Sequence, residues 1–206
     1  MITDDGCWAD FRTSASTTHG KACLFLDRDG VLIEDSGYPS DPDAITLVLE
    51  TLDLVRIANQ RGFVVGIVSN QSGIGRGYFE WTAFAAVQGA IDAALSARDA
   101  KLDFVLACPH LASAPVARYQ YNEHPWRKPA PGMLNAAANA LSLDMTRSAM
   151  VGDRISDMEA AQHAGLRYRA LLTGEGLSQQ GSTWTAVSRD TLQKWFLEDV
   201  EAAPQR

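Results

Sequence analysis

The chain has 206 residues, 46% of them hydrophobic and 21% charged, which allows one domain with a sizeable core and excludes a disordered chain. A formal net charge of −7 disfavours nucleic acid and anionic membranes as partners by bulk attraction, and no apolar run approaches the length of a membrane span. Cys7, Cys23 and Cys108 are odd in number and far apart, which suits a reducing cytoplasm better than a disulfide framework.

Residues 1–20 lack a basic start and an apolar centre. They are expected to be no secretory signal but a polar leader, free to be mobile. A single domain is expected over 21–206. Its first strand is expected at Ala22–Leu26, within a segment that continues as FLDRDGVL. Asp27 and Asp29 stand one residue apart where that strand ends, and Gly30 follows. Two carboxylates so close repel each other and favour a cation between them. One of them could attack an electrophile while the other trades a proton. An Asx turn with a salt bridge to Arg28 or a lysine would use the same residues without any chemistry.

A helix is expected over Leu49–Gln60 and a second strand over Phe63–Ser69. Ser69 and Asn70 end that strand with anion-binding donors. Gly73, Gly75 and Gly77 then allow backbone N–H groups to approach a ligand. The loop is no phosphate-binding P-loop, because no lysine follows the last glycine. A helix over Trp81–Ala97 leads to a third strand, Asp103–Ala107. The stretch 108–131 is rich in proline and aromatics and has no periodicity, so it is expected to be one long functional loop. Arg127 and Lys128 end it beside the start of a helix over Gly132–Leu141, a good place to hold an anion and also a common place for a solvated basic pair. The strand Ala149–Gly152 delivers Asp153, which could ligate magnesium or simply cap the helix expected over Ser156–Ala164. Asp157 follows one helical turn later and could equally be an ordinary first-turn acid favoured by the helix dipole. A strand over Tyr168–Leu172 and a helix over Arg189–Glu201 complete the pattern. Strands alternating with helices imply an α/β fold with a mostly parallel sheet covered on both faces, and ligands in such sheets lie at the carboxyl ends of strands.

The ordered set D-R-D-G, S-N-Q-S-G-I-G-R-G, R-K-P-x-P-G-M and V-G-D-x-x-x-D resembles the haloacid dehalogenase superfamily of phosphatases. More closely, it resembles the branch holding heptose-bisphosphate and histidinol-phosphate phosphatases. The resemblance runs from about Ala22 to Gly174. It implies a Rossmann-like three-layer α/β/α sandwich without a large cap domain, and a magnesium-dependent phosphomonoesterase working through an aspartyl-phosphate. On this resemblance Asp27 is the nucleophile and Asp29 the general acid and base. Ser69 and Lys128 hold the phosphate, and Asp27, the backbone carbonyl of Asp29 and Asp153 hold Mg2+. Asp35, Ser36, Gly37, Tyr38, Asn70, Arg127 and Arg154 fall at substrate positions. The partner implied is a small phosphate ester of carbohydrate metabolism, in the cytoplasm, with the protein a monomer or a small homo-oligomer. Histidinol phosphate is the competing substrate. A receiver-like module and a catalytically silent phosphate-binding module are the competing classes.

The chain departs from the pattern at Val31 and Ser69, where threonine is usual or common, and at Arg154, where lysine is frequent. Relatives carry a zinc site built as C-x-H followed by C-x-C. Here Cys108-Pro109-His110 keeps the first half, whereas His124-Pro125-Trp126 replaces the second. Cys108, His110 and His124 would give three zinc ligands and Glu123 would have to be recruited as the fourth. The alternative is that Trp126 with Tyr119 or Tyr121 packs the loop shut without a metal.

Overall fold

The computed structural model describes residues 1–173 and 184–201. Seven strands form one sheet in the order β1-β4-β3-β2-β5-β6-β7. They are β1 (Trp8–Phe11), β2 (Cys23–Leu26), β3 (Val64–Asn70), β4 (Phe104–Cys108), β5 (Ala149–Gly152), β6 (Tyr168–Leu172) and β7 (Thr185–Val187). The helices are α1 (Ala15–Thr18), α2 (Leu49–Gln60), α3 (Ser72–Gly75), α4 (Trp81–Ser96), α5 (Gly132–Leu141), α6 (Ile155–His163) and α7 (Arg189–Trp195). All neighbouring strands are parallel except β1, which runs antiparallel to β4.

The apolar runs become strands because each crosses the core once and is buried on both faces. Alternate residues serve two separate cores. Leu24 and Leu26 of β2, with Val65 and Ile67 of β3, face the layer holding Leu52 and Val55 of α2 and Phe84 of α4. Cys23 and Phe25, with Val64 and Val68, face Met133 and Leu134 of α5 and Met158 and Ala161 of α6. The result is the expected three-layer sandwich, and among the described residues no separate cap domain covers the strand ends. Among those residues, too, no helix is long and apolar enough to cross a membrane.

Two regions differ from the expectation. The first 20 residues are not a loose leader, because residues 8–11 pair with β4, Trp8 opposite Ala107 and Phe11 opposite Phe104. Trp8 then packs with its ring tilted against Trp81 at 5.6 Å and Phe84 at 5.4 Å. Sequence patterning misses so short an edge strand, since four half-exposed residues carry no apolar run. At the other end, the helix expected over Arg189–Glu201 is α-helical to Trp195 and continues as a π-helical turn, Phe196–Glu201. Gly174, where the family resemblance ends, lies outside the described residues.

Candidate active site

Strand β2 stops at Leu26, but the Asp27 amide still donates to Val151 O of β5 at 3.0 Å. That bond fixes Asp27 at the carboxyl edge of the sheet with its carboxylate turned out of the ladder. Its Oδ1 accepts from the Arg28 amide at 2.7 Å, and its Oδ2 lies 3.0 Å from Lys128 Nζ. Asp27 is mostly buried, so its charge depends on such partners.

Asp29 is held separately. Arg28 Nε donates to Asp29 Oδ1 at 2.7 Å and Gln71 Nε2 donates to Asp29 Oδ2 at 3.0 Å. The same Gln71 nitrogen lies 3.0 Å from Ser69 Oγ, and Arg28 donates to Gln71 Oε1 at 3.1 Å. Arg28 is wholly buried, with its guanidinium 4.7 Å above the Phe84 ring. The salt bridge to Arg28 is therefore real, but it belongs to Asp29. It holds that carboxylate in place.

Lys128 is buried among oxygens. Its Nζ donates to Val68 O at 2.8 Å and sits 2.5 Å from Asp157 Oδ1 as well as beside Asp27. Burial alone would lower this ammonium's pKa, but Asp157 and Asp27 outweigh it and hold the pKa above its ordinary value. The lysine backbone is fixed by Asn70, whose Oδ1 accepts from Lys128 N and whose Nδ2 donates to Lys128 O, both at 3.0 Å. The Asn70 amide is thus already engaged by the chain itself, and this residue positions Lys128.

Asp157 is more than a first-turn acid. Its Oδ2 does accept from the Arg154 amide at 3.0 Å, as a first-turn acid would, while its other oxygen anchors Lys128. Asp27, Asp153 and Asp157 bring carboxylate oxygens within 4.8 Å of one another. Burial, then the charges of Asp27 and Asp157, push Asp153 up to about 7. Its Oδ1 is buried without a partner. A divalent cation answers both facts, since it would satisfy the orphaned oxygen and favour the ionised form. Gly30, at φ +81°, makes room there: an added Cβ would meet Asp153 Oδ2 at 2.3 Å. Val31, where threonine is usual, is fully buried in the core, so packing takes the place of that hydroxyl.

Asp27, Asp29, Ser69, Asn70 and Lys128 line one open cleft of about 500 Å³, together with Asp35, Gly37, Tyr38, Arg127 and Arg154. Ser36 is exposed and does not line it, and Asp153 faces an adjoining hollow shared with Gly30 and Asp35. Arg154 pairs with Asp35 at 2.9 Å, Arg127 donates to His110 O at 2.8 Å, and Tyr38 packs edge-on against Tyr78 at 4.8 Å. The sequence reading missed Arg28 and Gln71 as site residues and undervalued Asp157. Gln71 and Asp157 act by gripping site residues distant in the chain, Asp29 and Lys128, which no local motif marks, while Arg28 holds its own neighbour Asp29 and reaches Gln71 at the same time.

In the loop, Cys108 Sγ lies 3.6 Å from His124 Nδ1, and the His110 and His124 rings stack at 4.1 Å. Glu123, named as a fourth ligand, is exposed on left-handed backbone and does not join them. That geometry corrects the expected ligand set. Tyr119 and Tyr121 do pack edge-on against His110, at 5.6 and 5.9 Å.

Residues 125–194 match a family model described as HAD-hydrolase-like. The chain is 43% identical over 180 residues to the D-glycero-β-D-manno-heptose-1,7-bisphosphate 7-phosphatase of Mesorhizobium japonicum, covering 87% of this chain and 82% of that one. The enzyme of the same name from Escherichia coli is 34% identical, with 88% and 91% covered. Among solved structures, a Mesorhizobium loti protein described as a HAD-like phosphatase superposes with a TM-score of 0.88 at 38% identity, covering 100% of this chain and 99% of that one. The D,D-heptose 1,7-bisphosphate phosphatase of B. bronchiseptica, complexed with magnesium and phosphate, gives 0.74 at 27% identity, with 86% and 99% covered.

Proposed function

The chain belongs to the haloacid-dehalogenase-like hydrolases and is a phosphatase, and from that premise we propose a cytoplasmic, magnesium-dependent phosphomonoesterase that removes the 7-phosphate of D-glycero-β-D-manno-heptose 1,7-bisphosphate, a precursor step toward lipopolysaccharide heptose. The observation that carries the mechanism is the convergence of Asp27, Asp29, Ser69 and Lys128 on one cleft. Asp27 attacks phosphorus, and the bond to the sugar oxygen breaks as Asp29 gives that oxygen a proton. Asp29 then takes a proton from water, which attacks the aspartyl-phosphate and releases phosphate and free Asp27. The Ser69 hydroxyl and the Lys128 ammonium neutralise and orient the phosphate oxygens during both steps.

Asp27, Asp153 and the backbone carbonyl of Asp29 would hold magnesium, and the buried, unpartnered Asp153 Oδ1 fits that reading. When bound, the ion supplies the charge neutralisation that lets a carboxylate approach a phosphate dianion. Arg28 and Gln71 keep Asp29 aimed, and Asp157 keeps Lys128 charged and beside Asp27.

The substrate assignment rests on the relatives' activity and on the cleft rim. Arg127 and Arg154 flank it and favour a second anionic group. Histidinol phosphate, with its cationic head, matches that rim less well. A silent binding module would have lost Asp27 or Asp29, and both are present. Acid-quenched protein, taken during turnover with magnesium, is expected to carry a phosphoryl group on the Asp27 peptide. Asp27→Asn is expected to fold, to lose that adduct and to lose turnover. Undiminished hydrolysis by Asp27→Asn would remove Asp27 from the nucleophile's role.

A further inference from the structure

Cys7 belongs to no motif of the sequence. It precedes β1, and the antiparallel register that sets Trp8 opposite Ala107 carries Cys7 to the level of Cys108 at the end of β4. The two thiols and one nitrogen of His124 lie within 4.8 Å of one another, and all three residues are buried. His110 is 2% exposed, stacks on His124 within 10° of parallel, and has an Nδ1 with no partner.

The hydrogen bonds fix which ring nitrogen is free. His110 Nε2 lies 2.8 Å from the backbone oxygen of Asp5, which can only accept, so the proton is on Nε2. His124 Nε2 lies 3.2 Å from the Asp5 carboxylate, while its Nδ1 accepts from the Trp126 amide at 3.1 Å. Both rings therefore carry their protons toward Asp5 and keep the Nδ1 lone pair. A histidine whose second nitrogen is held by a carboxylate or carbonyl is how proteins orient metal ligands.

We infer that Cys7, Cys108 and His124, whose donor atoms already lie together, bind one zinc ion with the unpartnered Nδ1 of His110 turning in as the fourth donor, and that the N-terminal segment supplies a thiolate that the loop itself lacks. Two thiolates and two imidazoles make a closed tetrahedral donor set that suits zinc. The ion takes the Nδ1 of His124 in place of its bond to the Trp126 amide. The family resemblance places all four ligands around the loop. Here Trp126 occupies the last of those positions, and Cys7, 119 positions earlier, takes over its role. The site ties β1 to the loop that carries Arg127 and Lys128, so it braces the substrate side of the cleft without touching substrate. It stands independently of the proposed substrate.

The test uses the full chain, purified under reductant without chelator. Zinc content is expected at one per chain. Cobalt substitution is expected to give the strong visible bands of a tetrahedral site and a thiolate charge-transfer band in the near ultraviolet. Cys7→Ser should lose most of the zinc and about half of the charge-transfer intensity. Cys23→Ala, at a buried thiol outside the cluster, should keep both. Should Cys7→Ser fail to fold, Asp5→Ala is expected to weaken zinc binding by about 10- to 100-fold while leaving all four ligands. A chain that takes up no zinc when zinc is added would overturn the inference. So would a Cys7→Ser variant with full zinc and an unchanged cobalt spectrum, or a Cys7–Cys108 disulfide in the reduced preparation.

Discussion

Gln71 joins two halves of the site with one amide. Its Nε2 reaches both Ser69 and Asp29, and its Oε1 receives Arg28. Gln71→Leu keeps the volume and removes all three bonds. It is expected to lower kcat by about 10- to 100-fold with little change in KM, because general acid–base catalysis depends on the placement of its carboxylate. An unchanged kcat would show that Arg28 alone positions Asp29. Lys128 carries a larger penalty. Lys128→Met leaves Asp27 and Asp157 buried without their cation and is expected to cost about 3–5 kcal/mol of stability along with activity. Urea unfolding measures it, and an unchanged midpoint would contradict the buried ion-pair account. The positions of Asp27, Asp29, Ser69 and Asp153 at strand ends, and of Lys128 just before α5, were legible in the sequence because the apolar runs and the helix start mark those edges. The role of Gln71 was not, because its partner is chosen by folding: Gln71 meets Arg28 across 43 positions of chain.

Helix α4 reaches the site indirectly. Phe84 on its buried face touches Trp8 and Trp81 and lies under the Arg28 guanidinium. Phe84→Ala is expected to cost about 3–5 kcal/mol through the cavity left behind. It should also lower kcat, because Arg28 loses the surface it lies on. A variant with normal kcat and reduced stability would separate the core from the catalytic acid. The inner parallel strands were legible as short apolar runs, since burial on both faces imposes that composition. Strands β1 and β7 were not, because an edge strand of three or four half-exposed residues looks like a loop until its partner is known. Cys7 was lost to the sequence reading for the same reason, since only the β1–β4 register brings it to Cys108.

Across the whole molecule the acidic cluster links stability to pH and to metal. Asp153 has its pKa raised from the ordinary 3.8 to about 7, by burial first and then by the charges of Asp27 and Asp157. Between those values the native state binds more protons than the unfolded chain, so stability falls as pH rises through that window in the absence of metal. A cation that prefers ionised carboxylates reverses this. Magnesium is expected to raise Tm more at pH 8 than at pH 5, and thermal unfolding with magnesium or with EDTA measures it. Equal shifts at the two pH values would mean that Asp153 does not couple to the ion. This cleft is expected to remove one particular phosphate. Phosphorus NMR of D-glycero-β-D-manno-heptose 1,7-bisphosphate during incubation with the protein and magnesium tests it directly. The expected result is loss of the C7 ester signal, growth of inorganic phosphate and retention of the C1 phosphate, all abolished by EDTA. Persistence of both sugar phosphates, or release of the C1 phosphate first, would contradict the assignment.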